Sequence, residues 1–337
     1  MIYNSEHSIA GITALELSTK SFTPLNWVVD GILPEGTYLL SAKPKVGKSW
    51  MGLQIALAVA NGEPVLGRKT SQGKAIYLAL EDNQRRLQNR LNILRPDGNY
   101  ATPNLVLHTE WPSFDQGGLE KLEELIKTES PKLVVIDTLI KVRPPATNQA
   151  YQSDYKALAP LTTLANKYRC CILVITHNRK GKSDGDVLEQ VSGTLGLTGA
   201  VDGALIIDGN RHDKQYKLSL IGRDIPNDDE LAIALEGGVW TVLGQANLIL
   251  VKTERKVILD LLLSNSGGLK PKEIAEALKK RGEAIRKLLK SMLAAQQVVN
   301  CEGVYYHPSN TSHTGNASTM SNNGNSSNDP FDISTWN

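Results

Sequence analysis

Residues 37–60 read TYLLSAKPKVGKSWMGLQIALAVA. Three pieces follow one another. TYLLS (37–41) is a short apolar run of strand type. AKPKVGKS (42–49) is a loop ending in Gly47-Lys48-Ser49. WMGLQIALAVA (50–60) is strongly apolar and helix-forming. The loop ends as the phosphate-loop pattern G-x-x-x-x-G-K-[ST] ends, but Ala42 stands where that pattern has its first glycine. A phosphate loop needs strand, loop and helix in this order, because the loop's backbone N–H groups and the helix N-terminus wrap the anion. The alternative is a lysine-bearing turn.

The rest of the chain separates the two. Further apolar runs follow: AIYLAL (75–80), NLVLH (104–108), LVVID (133–137), CILVIT (171–176) and ALIID (204–208). They are short, rich in Val, Ile and Leu, and not alternating, as strands buried on both faces of a parallel sheet are. Helical stretches lie between them, at 49–61, 82–95, 117–129 and 152–168. That alternation predicts right-handed crossovers and a layered α/β domain. After 208, YKLSLIG, LAIALEGG and VWTVL read as antiparallel strands finishing one edge.

Polar residues stand where these runs end. Lys48 reaches β- and γ-phosphates in such a loop, and the Ser49 hydroxyl binds Mg²⁺. A small Ala42 suffices at the loop's entrance if its φ stays negative. The candidate ATP-binding segment is Ala42, Lys43, Pro44, Lys45, Val46, Gly47, Lys48, Ser49 and Trp50, with ATP and Mg²⁺ as cofactors. Asp137 ends its strand and can hold Mg²⁺ directly or through water; the other reading is a strand cap. Glu81 can orient and deprotonate an attacking water, and Asp82 is expected to cap the next helix. His177 ends a further strand, where it senses the γ-phosphate or is structural.

Together AKPKVGKSW, ALEDNQRRLQNRL, LVVIDTL, ITHNRKG, SGTLGLTGAVDGALIID and LIGRDIP resemble the RecA-like P-loop ATPases of the RepA type. These are plasmid and phage hexameric replicative helicases and their relatives. The resemblance covers about residues 25–245. It implies nucleotide and Mg²⁺ binding by Lys48 and Ser49, catalysis by Glu81, Mg²⁺ association by Asp137 and γ-phosphate sensing by His177. It implies a ring with sites between subunits and a cationic finger from the neighbour. Arg223 is the candidate, with Lys217 and Arg211 as alternatives, and each can equally be a surface charge. The segment 179–186 (RKGKSDGD), with Arg179, Lys180 and Lys182, is expected either to face a central channel and touch nucleic acid or to be a solvated loop. Ala42 departs from the family pattern, no primase-like or zinc-binding region is present, and the C-terminal module is an addition.

That module, 250–308, reads as a winged helix. A short helix carries Leu269, Ile274, Ala275 and Leu278 as its apolar face, and Gly282 breaks it. A second helix, about 282–296, presents Ile285, Leu288, Leu289, Met292 and Leu293. VVNCEGVYYHP is then a hairpin turning at Glu302-Gly303. Residues 252–300 hold eleven Lys/Arg against five acids, a local basic surface that attracts DNA phosphates. Arg286, Lys287 and Lys290 would point outward from the recognition helix; protein contact is the alternative use. Residues 309–337 are Ser/Asn/Thr/Gly-rich and expected to be disordered. Their end, NDPFDISTWN, can be a docking peptide, though unstructured leftover is the favoured reading.

The bulk numbers fit. The chain has 337 residues, a net charge of +2 and 41% hydrophobic residues. Any nucleic-acid preference must therefore be local. The three cysteines, Cys170, Cys171 and Cys301, make no C-x-x-C pair, so neither a zinc site nor a disulfide framework is expected, and a reducing cytoplasm fits. No signal peptide or membrane span is read.

The expectation is an α/β protein with a RecA-like P-loop NTPase core in a mostly parallel sheet, plus a C-terminal winged-helix module. An N-terminal arm (1–24) precedes the core (25–247), and the module (250–308) and tail (309–337) follow. The expected function is a DNA-acting, ATP-hydrolysing motor, a homo-hexamer on single-stranded or forked DNA, working with replication proteins of a mobile element. The alternative is an ATP-dependent DNA-binding regulator or helicase loader.

Overall fold

The apolar runs become the inner strands of one 9-stranded sheet. The computed structural model describes residues 11–144, 150–177, 198–209, 214–225 and 229–313. The chain divides into two units, Met1–Leu250 and Val251–Asn337.

The first unit opens with a short helix, α1 (Ala14–Thr19), and a small hairpin, β1 (Trp27–Val29) with β2 (Leu33–Pro34). The strands β3 (Gly36–Ala42), β4 (Ala75–Ala79), β5 (Leu105–His108), β6 (Leu133–Asp137), β7 (Cys171–His177) and β8 (Gly203–Asp208) run parallel. Antiparallel β9 (Tyr216–Gly222), β10 (Asp229–Glu236) and β11 (Val239–Gln245) follow, giving the order β11-β10-β9-β8-β3-β7-β6-β4-β5. The helices are α2 (Lys48–Asn61), α3 (Gln84–Leu94), α4 (Gly118–Glu129), α5 (Leu139–Val142) and α6 (Ala150–Tyr168).

Strand side chains alternate between two cores. On β6, Leu133 and Val135 face the core that holds α2 and α3, while Val134 and Ile136 face the one that holds α4 and α6. Both sets are fully buried, which is why the sequence shows an unbroken apolar run rather than an alternation. Each such aliphatic side chain contributes about 1.5–3 kcal/mol on burial. Helix α2 is apolar nearly all round because it shares one core with the sheet, including its edge strand β11, with α3 and with the β1–β2 hairpin. Its Gln54 exchanges two hydrogen bonds with the Trp240 backbone of β11, at 2.8 and 3.0 Å. Gly52 is where α2 lies closest to the sheet: a Cβ there would stand 2.9 Å from Ile175 Cδ1.

The start of β3 is fixed by Asp202, whose Oδ2 accepts the Thr37 N–H at 2.9 Å. Gly36 makes that approach possible, since it has φ +123° and a Cβ would sit 2.8 Å from the same oxygen.

Two sequence expectations are corrected by one-residue effects. Asp82 does not cap α3. Asn83 does, its side chain accepting the Arg86 N–H at 2.9 Å. The chain leaves the sheet after Ala79 and turns through an Asp82 N–H to Ala79 O bond of 3.2 Å. Asp82 is thereby turned toward Arg86 and Arg90, at 2.7 and 2.5 Å.

The second unit continues α7 (Ala246–Leu263) into α8 (Pro271–Ala277), α9 (Gly282–Ala294) and the hairpin β12 (Val299–Cys301) with β13 (Val304–Tyr306). Glu302 and Gly303 both have positive φ, 51° and 84°, the geometry of a tight two-residue hairpin turn. Ile258, Leu262, Ile274, Ile285, Leu289 and Met292 form its core. Leu269 is the second correction: it lies before α8, bridged antiparallel to Tyr305. Pro271 starts the helix, and a proline at N1 fixes the boundary after Leu269.

No helix among the described residues is long and apolar enough to cross a membrane.

Candidate nucleotide site

The strand register brings the polar strand ends together. Ala42 pairs with His177 on one side and Ile207 on the other. Asp137 pairs with Ile175 and with Ala79. The carboxyl ends of β3, β7, β6 and β4 therefore lie within about two residues of one another, around a cleft of about 420 Å³. Its lining includes Lys48, Ser49, Glu81, Arg90, Asp137 and Thr138.

Ala42 ends β3 and is not among the residues with positive φ, so the first glycine of the usual pattern is not needed for backbone freedom. The left-handed conformations fall at Lys45, φ 64°, and Gly47, φ 112°. Gly47 caps α2, and a Cβ on it would meet Leu235 Cδ2 at 2.7 Å and Trp240 Cζ2 at 3.1 Å. The Trp240 indole N–H donates to Gly47 O at 3.0 Å. The antiparallel edge of the sheet thus holds the loop's exit.

Lys48 is buried and donates from Nζ to Ala42 O at 3.0 Å and Lys43 O at 3.2 Å. Burial lowers its pKa to about 8, while the charges of Asp137 and Glu81 act to raise it. A cation held poorly solvated here gains most when anionic oxygens arrive. Asp137 is buried as well, and burial raises its pKa. The Ser49 and Tyr77 hydroxyls and Arg90 lower it, and Glu81 raises it. The Tyr77 hydroxyl donates to Asp137 Oδ2 at 2.7 Å. Asp137 Oδ1 is buried with no hydrogen-bond partner. An unpartnered carboxylate oxygen beside Ser49 is a donor set that fits Mg²⁺, which takes one or two protein oxygens and keeps several waters.

Glu81 is exposed at the cleft and accepts from the Thr138 hydroxyl at 3.2 Å, across a cis peptide from Asp137. Trp50 lies on the first turn of α2, and the Arg90 guanidinium sits 5.3 Å from its ring centroid. Arg90 escaped sequence reasoning. Its signal was the i, i+4 spacing that places Arg86 and Arg90 on one face of α3, with Asp82 in the turn before it.

His177 is the last residue of β7; its side chain, Arg179, Lys180, Lys182 and Arg211 fall outside the described residues. Arg223 follows β9 and stands 3.7 Å from Asp202, at the start of β3 and away from the loop. Lys217 pairs with Glu230 at 2.7 Å. Arg286, Lys287 and Lys290 are exposed on α9, in the second unit.

Residues 9–183, just over half the chain, match the family described as AAA domain. The chain belongs to this AAA domain family. With a P-loop after the central β3 and a mostly parallel sheet, this member has the RecA-like P-loop NTPase fold. Among solved structures, the AAA-domain chain is similar to one described as an ATPase domain, at 11% identity and TM-score 0.49, over 62% of this chain and 85% of that one. It is also similar to a KaiC-like protein of the hyperthermophilic archaeon Pyrococcus horikoshii, at 16% identity and TM-score 0.45, over 64% and 93%. No curated protein matches it.

Proposed function

We propose that the protein binds and hydrolyses ATP and couples hydrolysis to action on DNA as a ring-forming motor of the replicative-helicase type. The observation that carries the nucleotide reading is the buried, unpartnered Asp137 Oδ1 at the mouth of a P-loop whose lysine is also buried. Lys48 leaves its two loop carbonyls and meets the β- and γ-phosphate oxygens. Ser49 and Asp137 hold Mg²⁺, which when bound neutralises charge on those oxygens. Glu81, steadied by Thr138, orients a water and takes its proton as the water oxygen attacks Pγ and the bond to the β,γ-bridging oxygen breaks. His177 senses the γ-phosphate, and Arg223 serves a neighbouring subunit's site.

The second unit supports the DNA part of the reading. Three helices, a hairpin and the Leu269–Tyr305 bridge are the elements of a winged helix, and α9 presents Arg286, Lys287 and Lys290 to solvent. These cations contact phosphates there, and Arg179, Lys180 and Lys182 are further candidates for phosphate contact.

The test is phosphate release with and without single-stranded DNA, followed by strand displacement on a forked duplex. Hydrolysis with unwinding supports the motor. Hydrolysis without unwinding replaces it with a regulator or loader. Hydrolysis unchanged in Glu81→Gln sinks the catalytic assignment.

A further inference from the structure

The second unit carries a cleft that the nucleotide chemistry does not use. Val257 and Ile258 of α7, Leu278 after α8, and Ala284, Ile285 and Leu288 of α9 line it, and its volume is about 190 Å³. Val257 is 44% exposed. An apolar cavity of roughly 150 Å³ admits benzene, so this one takes a single aromatic side chain. Lys280 and Glu254 form an ion pair at its rim, and Lys279, Lys280 and Arg281 follow one another through the turn into α9.

The chain itself carries a segment of matching chemistry. Residues 314–328 have no charged side chain; then Asp329, Phe331, Asp332, Ile333 and Trp336 fall within eight positions. The aromatic side chains suit the apolar cleft, and the carboxylates beside them can exchange with Glu254 at Lys280 on its rim.

The length of chain and its point of departure also fit. The turn Pro308–His313 is tied to α7, where Asn310 Nδ2 donates to Leu262 O at 2.9 Å. Leu262 and Val257 are five residues apart on that helix, about 7.5 Å along its axis. Residues 314–330 span at most about 60 Å, far more than the route requires.

We propose that this cleft is the docking site of the chain's own segment Asp329–Trp336, seating one of its aromatic rings between α7 and α9. The inference rests on the second unit alone and stands or falls separately from the ATPase reading.

Methyl NMR on the full-length protein tests it. The ring current of a seated aromatic displaces neighbouring methyl resonances, so the signals of Val257, Ile258, Ile285 and Leu288 should shift when both rings are removed in a Phe331→Ser/Trp336→Ser variant. Other methyl signals should stay in place, which also shows that the variant folds. Val257→Glu, at a half-exposed position, should release the segment as well. If the four signals are unmoved by the double variant, the proposal is overturned. If unlabelled wild-type protein restores the shifts to the labelled double variant on mixing, the occupant is a second copy, and docking within one chain is overturned.

Discussion

The Tyr77 hydroxyl holds Asp137 Oδ2 at 2.7 Å and leaves Asp137 Oδ1 unpartnered. One oxygen of a buried carboxylate is thereby fixed and the other freed. The same hydroxyl lies 3.3 Å from Ser49 O, so a single tyrosine on β4 ties both expected Mg²⁺ ligand residues together. Hydrogen-bond partners of metal ligands typically change metal affinity 10–100-fold when removed. In Tyr77→Phe, the Mg²⁺ concentration for half-maximal nucleotide binding should rise about tenfold. Binding of nucleotide in EDTA should be unchanged. A fluorescent ATP analogue titrated with Mg²⁺ reads both.

Glu81 carries the proposed proton transfer and is exposed, so its replacement costs little in folding. Glu81→Gln keeps the shape and the Thr138 contact. Phosphate release should fall at least about 100-fold, within the range for loss of a general base, and the nucleotide Kd should stay within about twofold. Single-turnover hydrolysis alongside equilibrium binding checks this.

Trp240 links the antiparallel edge to the phosphate loop through one indole N–H. Trp240→Phe retains most of the apolar burial but removes that donor, leaving Gly47 O without it. The loss should be about 1 kcal/mol of stability, together with weaker ATP binding because the loop's exit is less constrained. Urea unfolding with and without ATP separates the two effects.

His108 ends β5, its Nε2 buried without a partner and its ring edge-on to Trp111 at 5.2 Å. Burial, and then the Lys121 charge, lower its pKa below 6.5. The unfolded chain therefore takes up this proton more readily than the folded one. The stability contributed by neutral His108 is present above about pH 6.5 and is lost as pH falls through the lower folded value. Melting temperature should drop more between about pH 7 and pH 5 in the wild type than in His108→Gln.

The strand–loop–helix at 37–60 and the polar residues closing each apolar run made the sheet and the cleft legible, because parallel strands align their carboxyl ends by construction. What the sequence concealed was non-local or decided by one residue. Gln54 and Trp240 are 186 positions apart, and nothing in either neighbourhood predicts that they meet. Arg90 lines the cleft only because α3 starts at Gln84 in a particular rotation. Asp82 and Asn83 are both good caps, and the turn after Ala79 chose between them. Lys43 and Lys45 still add only charge, although Lys45 occupies a left-handed position that a glycine would fill more cheaply.

Asp202 ties Arg223 to the beginning of β3, whereas Lys48 follows its end. The strand steps from Thr37 to Ala42 separate the two levels by roughly 16 Å. A guanidinium anchored there does not reach the phosphates of its own chain. Any nucleotide it serves belongs to a different molecule, docked head to tail, and such contacts either close into a ring or run on as a filament. Hydrolysis that uses Arg223 would then depend on protein concentration, with turnover per chain falling on dilution, and an Arg223→Ala chain mixed with a Lys48→Ala chain would regain activity that neither has alone.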